Sequence, residues 1–203
     1  MITILCSGSR GDIQPYAALG QELMKLGKTV RIACNADFKD FIGSYGIGFY
    51  PILAGSKAVA DEKTVRMAQS ADNPFKMILS FNELKKYGFL MTKDMYDACA
   101  GSELIVYHPG CTIGYFAAEQ MGIPSVMASP FPMHKTKETM SVILYGRMPS
   151  NRITISSSYS MLQGMLWMAS KGPVKSFWKE TFDTIPPRFG SPFERTDGRH
   201  PSV

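Results

Sequence analysis

The side chains best placed to do chemistry in this sequence lie in one short stretch, Gly8-Ser9-Arg10-Gly11-Asp12-Ile13-Gln14-Pro15. Gly8 and Gly11 carry no Cβ, so the backbone there can come close to a ligand. Arg10 offers a planar cation that can bind a phosphate or pair with Asp12, or it is a solvated surface arginine. Asp12 stands where a helix would begin, and an aspartate there either caps the helix or presents a carboxylate to a bound group; the roles are compatible. If Asp12 is the N-cap, Pro15 falls at N3 without an N–H, leaving only the Gln14 amide for the carboxylate to accept. The stretch is neither a dinucleotide fingerprint nor a Walker loop. Arg10 occupies the place of the second glycine, Asp12 sets a negative charge where a pyrophosphate would dock, and no Gly-Lys-Ser/Thr follows. A nucleotide-dependent oxidoreductase is disfavoured on those grounds.

Of the other reactive types, His108 follows an apolar run and is expected at the rim of a cleft, where it orients a ligand or simply lines the wall. His134 falls in a loop and His200 in a tail, with nothing to single them out. Cys6, Cys34, Cys99 and Cys111 are far apart, with neither a C-x-x-C pair nor zinc-ligand spacing, as expected of reduced thiols in a cytosolic protein.

The elements that must position these groups alternate. Ile2 to Cys6, Thr29 to Cys34, Gly48 to Ile52, Leu104 to Tyr107 and Pro124 to Ala128 read as strands; the first is mostly apolar, as in a parallel strand buried on both faces. Tyr16, Leu19, Leu23 and Leu26 repeat at helical spacing, with Pro15 in the first turn and Gly27 past the end. Further helices are expected over 37–45, 74–100, 112–121, 159–170 and 173–182. The pattern predicts a doubly wound α/β domain with a mainly parallel sheet and helices on both faces. Ligands then belong at the carboxyl ends of the strands, which directs attention to residues 7–15, 52–74, 107–112 and 128–150.

Bulk properties agree. The 203 residues, 45% apolar and 19% charged, suffice for one full domain with a short appendage. We assign 1–183 to that domain and 184–203, with Pro186, Pro187, Gly190, Pro192, Gly198 and Pro201, to a linker. The net charge of +5 suits an anionic partner, whether nucleotide, phospholipid surface or RNA, without choosing among them. No basic leader with an apolar core opens the chain, and no run approaches the roughly 20 apolar residues of a membrane span. Cytoplasmic placement is expected, with any membrane contact peripheral.

The opening octet, the Gly27-Lys28-Thr29-Val30-Arg31-Ile32 segment, Tyr45-Gly46-Ile47 and the Ala117-Ala118-Glu119-Gln120-Met121-Gly122-Ile123-Pro124 segment together resemble the N-terminal domain of GT-B glycosyltransferases. The sterol glucosyltransferases and related antibiotic glycosyltransferases share the Gly-Ser-Arg-Gly-Asp opening, and the resemblance covers most of residues 1 to 130. It implies the Rossmann-like half of a two-domain enzyme. This half would bind a lipophilic hydroxyl acceptor (sterol, lipid or aglycone), while a C-terminal domain, whose His- and Gly-rich motif is missing here, would hold a UDP-glucose-like nucleotide-sugar donor. On that view the chain is either cut short or a naturally separate subunit. No cofactor, metal or nucleic-acid partner is implied.

By the same resemblance Asp12 is the general base of an inverting transfer; Gly8, Ser9, Arg10 and Gly11 either contact the donor phosphates or only shape the loop. Acceptor contacts are expected from Ile13, Gln14, Val65, Met67, His108, Phe131, Pro132 and Met133, although such apolar loop residues also commonly pack beneath their own loops. The Met161 to Met168 stretch beside Lys171 and Lys175 is either a membrane-docking surface or the core face of a helix. The alternative function is a non-catalytic module that recruits an acceptor for a separate donor-binding chain.

Overall fold

A computed structural model of the chain describes residues 1–54, 87–146, 149–193 and 200–201. Among them five strands form one sheet, β1 (Ile2–Leu5), β2 (Val30–Asn35), β3 (Gly48–Ile52), β4 (Leu104–Tyr107) and β5 (Ser125–Met127), in the order β3-β2-β1-β4-β5. Every pairing is parallel, with Leu5 beside Ala33 on one side and Tyr107 on the other. Helices α1 (Arg10–Lys25), α2 (Lys39–Gly43), α3 (87–98), α4 (Ile113–Met121) and α5 (Arg152–Phe182) complete the described structure.

Strand side chains alternate between two cores because successive Cβ atoms point to opposite faces. Ile4, Ile32 and Val106 pack with Ile13, Tyr16, Ala17 and Ile42 beneath α1 and α2. Leu5, Ala33, Ile105, Tyr107 and Met127 pack with Met95, Phe116, Ala117, Leu162 and Trp178 beneath α3, α4 and α5. This is the expected doubly wound arrangement. Gly114 sets how closely α4 approaches the sheet, since a Cβ there would lie 2.7 Å from the Tyr107 Cβ and 3.2 Å from the Leu5 Cδ1.

Three expectations change. Helix α1 begins at Arg10, so Pro15 lies inside it, where its missing N–H leaves the Gly11 carbonyl without its helical donor. The two helices expected over 159–182 are one 31-residue helix that runs through Pro173, and α3 is notched to receive that proline ring: a Cβ on Gly88 would come within 2.6 Å of its Cγ. The proline-rich tail, where described, folds back. Phe189 stacks on Phe116 and Trp167, Phe193 is buried, and the Met127 N–H donates to the Pro201 carbonyl at 3.0 Å along the open edge of β5.

On α5, Leu162 and Met165 enter the core while Leu166 and Trp167 pack against it, leaving Met168 exposed. Most of the Met161 to Met168 apolar face is therefore core. No helix among the described residues is long and apolar enough to cross a membrane.

Candidate functional site

The sheet order reverses at β1. The chain leaves that strand toward β2 and β3 on one side and returns on the other as β4 and β5, and in open α/β sheets it is beyond the carboxyl ends of the strands at such a point that ligands bind. Two short segments lie there, residues 6–12 after β1 and 108–112 after β4. They are joined where the Cys111 thiol donates to the Ser7 hydroxyl at 3.4 Å. The His108 N–H extends the ladder by donating to the Leu5 carbonyl at 2.9 Å.

Ser9, not Asp12, is the N-cap of α1, and Asp12 occupies N3. Its Oδ2 accepts from the Ser9 backbone N–H at 2.7 Å and from the Ser9 hydroxyl at 2.9 Å. This is the acidic member of a capping box, and the Ser-x-x-Asp spacing in the sequence already carried that signal. The two donors share one oxygen. Asp12 is half-exposed, and its Oδ1 accepts no hydrogen bond from any described residue. The carboxylate is thus fixed in orientation through one oxygen and open at the other. Gly8 makes room for it: its φ is +124°, and a Cβ would overlap Oδ2 and lie 2.8 Å from the Asp12 Cγ.

Arg10 is exposed and lies over the Phe41 ring at 4.8 Å rather than pairing with Asp12, a cation–π contact with α2. Gln14 is exposed, on the outer side of α1. Ile13 corrects the sequence reading. Position 13 begins the inward stripe Ile13, Tyr16, Ala17, Gly20, and its side chain is sealed in the core with no surface for an acceptor. Val65 and Met67 lie outside the described residues.

His108 is 8% exposed, its ring set edge-on between Tyr16 (6.0 Å) and Phe131 (5.9 Å). The Gly110 N–H donates to its Nδ1 at 2.9 Å, while Nε2 has no partner. Burial lowers the imidazole pKa, against the pull of the Asp12 charge. Tyr16 spends its hydroxyl on the Ala128 carbonyl, and burial raises its pKa well above the ordinary tyrosine range. Burial likewise pushes the Cys111 thiol up to about 12, leaving it neutral.

Beyond β5 a cavity of about 390 Å³ is lined by Met127, Ser129, Pro130, Phe131, Pro132 and Met133, with His134 and Thr136 at its side. Phe131, Pro132 and Met133 therefore share a cavity. Asp12 and His108 do not line it; Phe131 links it to His108. The segment is braced by the Ser129 hydroxyl on the Phe131 carbonyl (2.6 Å) and by the Gln163 amide on the Met133 carbonyl (3.0 Å). The second brace is not visible in the sequence, because Gln163 comes from a helix 30 residues downstream.

His200 also departs from expectation. It is buried, with Nδ1 2.8 Å from the Ser125 hydroxyl, Nε2 3.0 Å from a Glu119 carboxylate oxygen, and its ring against Tyr115. The order Ser-His-Glu matches a hydrolase triad, but Ser125 has no solvent exposure, so the cluster is a clamp that holds the tail to β5. Among the described residues no three His, Cys, Asp or Glu side chains converge as metal ligands would.

Residues 2–140 match the model of the glycosyltransferase family 28 N-terminal domain. A sterol 3-beta-glucosyltransferase of Candida albicans is 30% identical over 188 residues, covering 90% of this chain and 12% of the relative. One from Yarrowia lipolytica is 29% identical over 185 residues, covering 89% and 12%. The chain thus spans about an eighth of the length of these relatives. Among solved structures, the glycosyltransferase SnogD from Streptomyces nogalater aligns with a TM-score of 0.56 at 15% identity, over 92% of this chain and 41% of its own. SsfS6, a glycosyltransferase of Streptomyces sp. SF2575, aligns at 0.52 and 13% identity, over 92% and 47%. At such identities the structures bear on the fold, which they share with this chain.

Proposed function

We infer from one premise, that this chain belongs to the glycosyltransferase family 28 N-terminal domain family, that it is the acceptor-binding half of an inverting glycosyltransferase. The reaction proposed is transfer of a hexose from a UDP-glucose-like donor to the hydroxyl of a lipophilic acceptor, with Asp12 as general base. The acceptor oxygen attacks the anomeric carbon, its proton passes to the Asp12 carboxylate, and the bond from that carbon to the nucleoside diphosphate breaks, the electron pair leaving with the phosphate. The donor would be held by a second domain, toward which residues 184–203 would lead. The sterol glucosyltransferase relatives favour a flat, apolar alcohol as acceptor, and the Met- and Phe-lined cavity is chemically suited to one.

One observation carries the assignment of the base. Asp12 Oδ2 is tied to Ser9 while Oδ1 is open, at the point where the sheet order reverses. The second oxygen of this half-exposed carboxylate is left for a ligand group. A positioned base of this kind contributes about 10²- to 10⁴-fold.

The test is glucosyl transfer from UDP-glucose to cholesterol by this domain together with its donor-binding domain. Asp12→Asn should retain cholesterol binding and lower kcat by about 10²-fold or more. Transfer at the wild-type rate would overturn the base assignment and leave the acceptor-recruiting role.

A further inference from the structure

We propose that the loop following the cavity and the first turn of α5 form a docking surface for an anionic phospholipid bilayer, with Val142, Tyr145 and Ile153 entering the interface and Lys137 and Arg152 meeting the headgroups. The inference goes beyond the reaction proposed above, since binding to a bilayer needs no hexose transfer; it takes from that reading only a lipophilic acceptor.

The charge of the chain is not evenly spread. Residues 120–179 hold seven lysines and arginines and a single acid, Glu138, an excess of six in a chain whose net charge is +5. All of the net positive charge thus falls in the stretch that runs from the cavity through most of α5. Lys137 and Arg152 are exposed, and neither makes an ion pair among the described residues. Such cations are drawn to an anionic bilayer within about a Debye length of its surface.

Apolar side chains protrude beside them. Ile153 is 81% exposed, Tyr145 71% and Val142 52%. Their backbone is fixed. The Ser141 N–H donates to the Ser158 hydroxyl at 2.9 Å, the Ser141 hydroxyl donates to the Ser158 carbonyl at 3.0 Å, and Leu144 packs on the small core of Met140, Ile155 and Tyr159. Asn151 caps α5 by accepting from the Ile153 and Thr154 N–H groups, each at 3.0 Å. The apolar groups are therefore held out into water from a rigid base, a cost that transfer into a bilayer interface removes. Tyrosine suits that boundary, with its ring at the acyl edge and its hydroxyl among the headgroups. Protein interfaces are depleted in lysine, whereas apolar side chains set among lysine and arginine are the composition of surfaces that lie in a bilayer interface.

Position connects this surface to the cavity. Thr136, at the side of the cavity, precedes Val142 by six positions, and Gln163 of the same helix holds the Met133 carbonyl. A lipophilic alcohol leaving the bilayer here would meet the cavity next.

The test is sedimentation of the purified chain with sterol-free vesicles, made of phosphatidylcholine alone or with phosphatidylserine added. Wild type should sediment with the phosphatidylserine vesicles, more weakly at high salt, and stay in solution beside phosphatidylcholine alone. Tyr145→Ser/Ile153→Ser and Lys137→Gln/Arg152→Gln should each weaken binding by about tenfold or more. Lys28→Gln/Lys39→Gln, which removes the same charge elsewhere, should bind close to wild type, and unchanged urea midpoints should show all three variants folded. In Tyr145→Trp the added indole emission should shift to the blue on phosphatidylserine vesicles. Three results overturn the proposal: no binding by wild type, equal binding by Tyr145→Ser/Ile153→Ser, or a lipid-free dimer that these substitutions dissolve, which would assign the surface to a second copy. Failure of the cholesterol transfer assay overturns the acceptor reading and leaves vesicle binding as the separate readout of this surface.

Discussion

Asp12 and Ser9 are locked to each other across the first turn of α1, one carboxylate oxygen receiving both the Ser9 amide at 2.7 Å and the Ser9 hydroxyl at 2.9 Å. The contact joins stability to function, because the residues that start the helix also set the direction of the proposed base. Ser9→Ala removes the hydroxyl donor and leaves the amide in place. It should cost about 1 kcal/mol in urea denaturation and lower transfer less than Asp12→Asn does; an equal loss in both would show that the carboxylate's orientation, rather than its presence, limits the rate.

Gly8→Ala attacks the same carboxylate from behind. The substitution forces a side chain onto a φ of +124° and into the space of Asp12. A destabilisation of about 1–3 kcal/mol is expected, with transfer reduced further because Asp12 must move. A variant as stable and as active as wild type would mean that the loop can relax without consequence.

Gly114→Ala tests the packing of α4 on the sheet. The added methyl would meet Tyr107 and Leu5 at 2.7 to 3.2 Å, and overpacking of this kind costs about 1–3 kcal/mol. The check is a shift of the denaturation midpoint with cholesterol affinity otherwise retained.

The pH dependence of stability should carry a His108 component. Its folded pKa is lowered by burial, so around that range the unfolded chain binds more protons than the folded one, and stability rises with pH. The contribution is fully present above about pH 6.5, the unfolded value, and is lost as the pH falls through the lower folded value. Urea midpoints at pH 7.5 and 5.5 should therefore differ less in His108→Phe than in wild type.

Thiol chemistry provides an independent check on the core. Cys6, Cys34, Cys99 and Cys111 are all buried, and burial pushes Cys99 and Cys111 each up to about 12. Ellman's reagent at pH 8 should find the thiols unreactive in the folded chain and all four reactive in guanidinium. Rapid labelling of Cys111 in the native state would mean that the Ser7 to Cys111 junction opens.

The fold was legible because its signals are local. Apolar runs at Ile2 to Leu5 and Leu104 to Tyr107, separated by helical stripes, define a parallel sheet whatever the distant contacts are. The start of the first helix was legible to within a few residues, but its cap was not: the sequence allows Asp12 as the N-cap, and the structure gives that place to Ser9 with Asp12 at N3. What only the tertiary structure decided was the use of each side chain: that Ile13 turns inward and Gln14 outward, that His108 lies between Tyr16 and Phe131 with one nitrogen fastened to Gly110, and that His200 clamps the tail between Glu119 and Ser125. These outcomes depend on contacts between residues 75 to 112 positions apart in several cases. Periodicity records which face of an element is apolar, but not which partner the folded chain brings to a polar atom.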